Sequence, residues 1–352
     1  MKSKKFIALL VMGIFMAAGA AFAQEAPKAE EVKPAMDLSG VAYIWWQKDM
    51  DNENAASKNT NHFAINRVYL TWAKQFNDVW SVKLTTDVNG GTNQVFFKNA
   101  YLQMKKSFDP VTVTVQYGLV GTPIAGLIDS KSDYRWIHNN YFDNSKALIG
   151  ITLDPTADMG LLASVEVMKM VTLTGLYANG EGYSNGFNEA EGDNSKAYHG
   201  MLTVTPFQGL FLSGFYKKLD KANAPGTNVV GDSLSMYGGI VGWSDKTFKV
   251  GASYTMVEQE AGVADNEATL LDIWAHINLN QFVGAPVLVV GRYAQGTSSP
   301  DGGSDVDTTA WEAGLGYAFN KNVRVLALYE VIDTDGVNGK NETVWIKTEA
   351  KF

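Results

Sequence analysis

Residues 341–352 read NETVWIKTEAKF and end the chain on an aromatic carboxyl terminus. Val344, Ile346, Thr348, Ala350 and Phe352 share one face of an extended segment. Glu342, Lys347, Glu349 and Lys351 are polar, and from Lys347 on they alternate strictly with the apolar set. A period of two is what a strand shows when lipid lies on one side and water on the other. A soluble edge strand carries the same pattern, so the front of the chain has to decide between them.

There, Lys2, Lys4 and Lys5 precede an apolar run over residues 6–16, and Ala21-Phe22-Ala23 has the small-residue spacing of a signal-peptidase site ahead of Gln24. Residues 1–23 are therefore expected to be a removed secretory signal, since the fully apolar core is shorter than the roughly 20 residues of a spanning helix. Gln at position 24, where a lipoprotein has Cys, argues against a lipid anchor. Residues 24–36, rich in Ala, Glu, Lys and Pro, read as a short disordered periplasmic lead, and residues 37–352 as one domain.

That domain has no further apolar run long enough for a helical span, so membrane entry requires a closed barrel. Removing Lys2, Lys4 and Lys5 leaves 26 basic against 37 acidic residues, a net charge of about −11, which argues against a nucleic-acid partner. Cysteine is absent, so burial and backbone pairing must supply stability without disulfides.

Segments of alternating polarity recur from residue 37 onward. Strands are expected over 38–47, 62–76, 79–88, 95–108, 111–118, 159–166, 169–178 and 197–205. They continue over 210–217, 233–243, 247–257, 268–279, 287–295, 308–319, 322–331 and 342–352, an even total of sixteen. Their connections are of two alternating kinds. Short turns fall at Asn77-Asp78, Asp109-Pro110, near Met168, and over 206–209, 244–246, 280–286 and 320–321. Longer polar loops fall over 48–61, 89–94, 119–158, 179–196, 218–232, 258–267, 296–307 and 332–341. Only 89–94 and 280–286 blur the distinction. Tight turns at one end and long loops at the other are the layout of an outer-membrane barrel, with the turns periplasmic. Aromatics gather beside the short turns (Trp72, Phe76, Trp80, Phe108, Phe207, Phe211, Trp243, Phe248, Phe282, Phe319 and Phe352), as an interfacial girdle requires. Met168 is poor turn chemistry, so residues 154–158 are an alternative for that reversal; either placement keeps a long third loop.

The run INRVYLTWAKQFNDVWSVKLTTD at residues 65–87 resembles the first hairpin of Gram-negative outer-membrane porins. NSKALIGITLDPTADMG at 144–160 and GLYANGEGYSN at 175–185 resemble the middle of porins related to the phosphate-selective porin O and P family. The resemblance implies a sixteen-stranded barrel, usually a homotrimer within lipid and lipopolysaccharide, whose third loop, 119–158, folds inward as a constriction. Its function would be passive diffusion of small hydrophilic solutes and ions. The chain departs from phosphate-selective members, whose pores are expected to be rich in Arg and Lys, in having only Arg67, Arg135, Arg292 and Arg324 as arginines.

Placing the apolar face of each strand in lipid puts Arg67, Lys83, Asp87, Gln103, Lys105, Lys249, Asp272, His276, Arg292, Glu312, Arg324, Glu330, Lys347 and Glu349 in the lumen. A Lys or Arg at mid-bilayer costs roughly 2–4 kcal/mol, which leaves these charges few other places. The third loop adds Asp129, Lys131, Asp133, Arg135, His138 and Asp143, interleaved with Tyr134, Trp136, Tyr141 and Phe142. These are expected to face the basic wall residues and set a transverse field; the alternative is a solvated external loop. Asp333, Asp335, Asn338, Asn341 and Glu342 offer oxygen ligands for Ca²⁺, but not at EF-hand spacing. The four histidines, His62, His138, His199 and His276, stand in no nucleophile motif, so neither catalysis nor a cofactor is expected. A non-conducting adhesin or envelope anchor is the competing class.

Overall fold

The computed structural model describes residues 36–52, 60–89, 94–180, 182–183, 196–220, 233–261, 264–335 and 339–352. The expected signal, nearly all of the lead and parts of the long loops lie outside the described residues. The strands are β1 (Met36–Asn52), β2 (Asn61–Gln75), β3 (Trp80–Asn89), β4 (Gln94–Phe108) and β5 (Val111–Gly121). Next come β6 (Ala157–Val167), β7 (Val171–Ala178), β8 (Lys196–Phe207), β9 (Leu210–Asp220), β10 (Ser233–Ser244) and β11 (Phe248–Ala261). The last are β12 (Ala264–Asn278), β13 (Val287–Pro300), β14 (Val306–Ala318), β15 (Val323–Thr334) and β16 (Gly339–Lys351). Each pairs antiparallel with its sequence neighbours, and β1 pairs with β16, so the sixteen strands close into one barrel without an exposed edge. Between β5 and β6 lie two helices, α1 (Pro123–Ser132) and α2 (Lys146–Ile149); a third, α3 (Asn280–Val283), caps the β12–β13 turn.

The terminal stretch performs the closure. Tyr43 stands opposite Glu349 and Trp45 opposite Lys347, and the last residue exchanges two backbone bonds with Gly40, N–H to O at 2.9 and 2.7 Å. The Phe352 ring lies on Gly40, where an added Cβ would come within 2.4 Å of it. Glycine there lets the aromatic terminus lie flat over the seam.

Phe76, Trp80, Phe108, Phe207, Phe248, Phe282, Phe319 and Phe352 are exposed on the outer face beside the short turns, as a girdle demands. Phe211 is a correction: it is only 1 % exposed, because Leu212 takes the lipid side and the period of two turns Phe211 inward. Tyr117, Tyr177, Tyr216, Tyr237, Tyr254, Tyr293 and Trp311 also lie on the outer face, away from the turns. Cross-strand neighbours such as Tyr216 and Tyr237, or Tyr293 and Trp311, gather them into patches. The sequence reading saw clustering only at the turn end.

The β6–β7 reversal lies at Met168, not at 154–158. Met168 and Lys169 both adopt positive φ, 54° and 58°, and Met170 N–H closes the turn on Val167 O at 3.0 Å. That two-residue geometry favours Asn-Gly, and side chains such as Met and Lys are strained in it. Replacing the pair by Asn-Gly is expected to raise stability by about 1 kcal/mol, read as a higher urea midpoint for the folded barrel in detergent.

Candidate functional site

The segment from Thr122 to Thr156 does not extend outward. It enters the barrel and is held there by both apolar packing and charge. Pro at the first turn of α1 and the left-handed backbone of Asp133 at its end (φ 57°) bound the first helix. Gly150 (φ 71°) ends the second. From α1, Ile124, Ala125 and Ile128 join Tyr134, Trp136, Ile137, Phe142, Leu148, Ile149 and Leu153 in one buried cluster with inward-facing wall residues. Those wall residues include Phe211, Phe215, Met236, Leu270, Trp274, Leu288, Val290, Leu326 and Leu328. On these strands apolar residues stand on the inner face as well as the outer, because there the inner one meets protein instead of water. Water would fill the lumen if the loop left, so each large side chain it buries contributes about 1.5–3 kcal/mol relative to exposure. Gly296 on β13 permits the closest approach: a Cβ there would lie 2.6 Å from Ile149 and 2.7 Å from the Leu148 carbonyl oxygen.

Charged anchors surround this packing. Arg324 donates to both oxygens of Asp133 at 2.6 and 2.9 Å and to Glu349 at 2.6 Å, with its guanidinium 4.2 Å over the Trp136 ring. Burial raises the Asp133 carboxyl, but the hydrogen bonds and charge of Arg324, aided by His276 and Lys249, outweigh this and hold it at about 2. Asp133 is therefore ionised at neutral pH, as the bidentate bridge requires. Arg292 grips Asp272 through two bonds of 2.7 and 2.8 Å, donates to Asn139 O at 3.2 Å and stacks 3.9 Å over Tyr141. Arg135 donates to the Tyr69 hydroxyl at 2.6 Å and to Asn139 Oδ1.

Lys347 is a fourth anchor. Its ammonium, fully buried, donates to Ile137 O at 2.5 Å and to His138 Nε2 at 2.7 Å. The rings of Trp45 and Trp345 flank it at 3.9 and 4.1 Å. Burial first, then the charges of Lys347 and Arg292, push His138 well below the usual imidazole range. Its ring is therefore neutral and accepts from Lys347. Glu312 and Glu330 approach the same nitrogen at 3.2 and 3.6 Å, and Trp345 Nε1 donates to Glu330 at 2.9 Å. His138, Glu312 and Glu330 bring three potential ligand atoms within 4.8 Å. The Lys347 ammonium already uses the imidazole lone pair, so this group reads as an anchor and not as a metal site.

The remaining expected residues fall as follows. Arg67 pairs with Asp87 at 2.9 Å. Asp129 accepts from Asn140 at 2.7 Å, and burial raises its carboxyl while Arg135 lowers it, leaving a net rise. Lys131 lies 5.3 Å over the inward ring of Phe211. Asp272 and Glu312 are covered by the loop, whereas Lys83 is half-buried and Lys105 exposed on the opposite wall. Among the calcium candidates, Asn338 lies outside the described residues, and Glu342 is taken by Lys340 and Tyr329, each at 2.5 Å. Trp45 and Trp345 were missed in the sequence. Trp345 was legible in principle as the aromatic on the polar side of the terminal strand.

The covering is one-sided. Inner faces of β7–β15 are largely buried, Thr174, Leu176 and Ala178 on β7 included, but on β2–β6 Thr71, Ser81, Lys83, Gln103, Thr112, Gln116, Ser164 and Glu166 stay partly solvent-exposed. Several join across strands, as in Gln116 to Gln103 at 2.8 Å and Thr71 to Thr85 at 3.0 Å.

A closed barrel with a lipid-compatible exterior, a polar inner wall and a folded constriction defines a transmembrane channel of the outer membrane. The Gram-negative porin family model matches residues 8–337, and the chain belongs to that family. It is an outer-membrane porin. No curated protein sequence matches the chain. Solved structures that share the fold include an anion-selective porin from Comamonas acidovorans (12 % identity, TM-score 0.66, 91 % of this chain and 100 % of that one). Outer-membrane-expressed OmpT of Vibrio cholerae aligns at 13 % identity and TM-score 0.64 over 92 % and 99 % of the two chains. OmpF of Salmonella typhi, in complex with daunomycin, aligns at 14 % identity and TM-score 0.64 over 90 % and 97 %. The closer likeness to phosphate-selective members rests on the sequence runs alone.

Proposed function

We propose that small hydrophilic solutes and ions diffuse passively along the β2–β6 side of the lumen, with the 122–156 segment as a fixed partition. The observation that carries this reading is the split of the inner wall into a half buried against the loop by apolar packing and charged anchors and an open, hydroxyl- and amide-lined half. No catalysis is involved; the protein holds a wet path open through hydrocarbon. The mature form lacks residues 1–23, lies in lipid and lipopolysaccharide, and assembles as a homotrimer, the form of one OmpT structure of similar fold.

The path's wall charges are Lys83 and Lys105 against Glu166, a basic excess that favours small anions. Single-channel recording in a planar bilayer should give stepwise conductance closing in threes. In a KCl gradient, Lys83→Gln with Lys105→Gln should move the reversal potential toward cation preference. An unchanged potential would remove these lysines from the path, and a folded barrel that passes no current would overturn the channel reading in favour of an adhesin or anchor.

A further inference from the structure

The uncovered side of the lumen is open only in its turn-end half. There each of β2–β6 has partly exposed inner residues, namely Thr71, Lys83, Gln103, Gln116 and Ser164 in strand order. Toward the loops the inner residues of the same side are buried: Arg67 and Tyr69 on β2, Asp87 on β3, Val120 on β5 and Asp158 on β6. On β4 the loop-side residues Phe96 and Lys98 keep partial exposure. A solute on the path therefore crosses an open turn-end vestibule and a close-packed layer on the loop side, where the remaining water lies against β4.

That layer is built around Tyr183, from the connection between β7 and β8. Its ring stacks on Phe96, with centroids 5.5 Å apart and planes 15° from parallel. The Lys98 ammonium lies 4.7 Å from the same ring and 5.6 Å from that of Tyr69, and it donates to Thr156 Oγ1 at 2.5 Å. Arg67 hydrogen-bonds to the Tyr183 hydroxyl, and the charge of Asp143 on the partition acts on both Tyr183 and Lys98. Gly182 allows this approach: its φ is 80°, and a Cβ there would lie 2.9 Å from Pro155 at the end of the partition. Residues of β2, β4, the partition and the β7–β8 connection thus meet around one aromatic side chain. Tyr183 is itself partly exposed, so it borders the water that remains. Pinned by Phe96, Lys98 and Arg67, the ring is a fixed sill.

We infer that Tyr183 is a specificity-determining residue of the path: with Phe96 and Lys98 it sets the largest solute that crosses the loop-side layer. This rests on the diffusion reading and adds to it a size limit imposed by a second connection, separate from the 122–156 partition.

Uptake of uncharged sugars of rising size into proteoliposomes reads that limit without any contribution from charge. Tyr183→Ala should raise entry of a trisaccharide relative to a pentose about fivefold or more, and Tyr183→Trp should lower it. Tyr183→Phe keeps the ring and should restore the native ranking. The chain has no cysteine, so Tyr183→Cys carries a single thiol. A bulky methanethiosulfonate reagent should cut the single-channel current of that variant by about half or more. An unchanged size ranking in the Ala and Trp variants, with ions still conducted, overturns the sill and leaves the channel standing. A thiol that reacts without changing the current does the same. A folded native barrel that passes neither pentose nor ions overturns the diffusion reading, and the sill with it.

Discussion

Lys347→Ala is expected to weaken the docking of the inner loop by about 3–5 kcal/mol, whereas replacing the whole charged group should not. Lys347 is the only cation placed on His138 Nε2 among the described residues, and it is completely buried. Truncation would strand Glu312, whose two oxygens already have no hydrogen-bond partner, beside Glu330 in a site closed to water. It would also orphan the Ile137 carbonyl and empty the space between Trp45 and Trp345. Replacing Lys347 and Glu312 by Met and Glu330 by Gln removes the stranded charge, refills the volume and keeps an acceptor for Trp345 Nε1. Most of the docking strength should return, since a buried ionic group exchanged for well-packed neutral residues is often neutral in effect. Limited proteolysis of the folded barrel reads the open population of the loop. Cleavage within 122–156 should accelerate about a hundredfold or more in the single variant and return near the native rate in the triple one. Native-like protection in Lys347→Ala, or no recovery in the triple variant, would falsify the anchor.

The barrel was legible because lipid imposes a strict rule on every strand that crosses it. All sixteen strands, the hairpin order and the short-turn end follow from a period of two and from turn chemistry. Strand ends on the loop side were harder to read. Residues 287–295 were expected where Val287–Pro300 is found, since beyond the bilayer there is no apolar face to alternate. The inward direction of Arg292, Arg324, Lys347 and Glu349 was readable from the cost of putting charge in hydrocarbon. Their partners were not, because Asp133 and Arg324 stand 191 positions apart and no local pattern links them. Composition also hid the half-apolar lumen. Leu288, Val290, Leu326 and Leu328 look like lipid-facing residues by type, and only the loop's own Ile, Trp and Phe content explains why they point inward.

That apolar half leads to the other large effect expected. Trp136→Ala should also cost about 3–5 kcal/mol of docking, and it should change conductance directly. The indole is 1 % exposed in the cluster shared with the wall, and its face carries Arg324, which in turn holds Asp133. Truncation therefore opens a cavity and removes the surface that orients the bidentate bridge, so packing and charge are lost together. A loosened loop would swing into the open β2–β6 side or away from it. Native traces should show one steady level, and the variant should flicker between levels above and below it. Trp136→Phe keeps a ring beneath Arg324 and discards an indole N–H that has no partner, so it should stay close to native in both current and cleavage rate. If Trp136→Ala instead gives a steady native level and native proteolysis, the loop is held by the charged anchors alone, and the apolar inner wall does not fix the constriction.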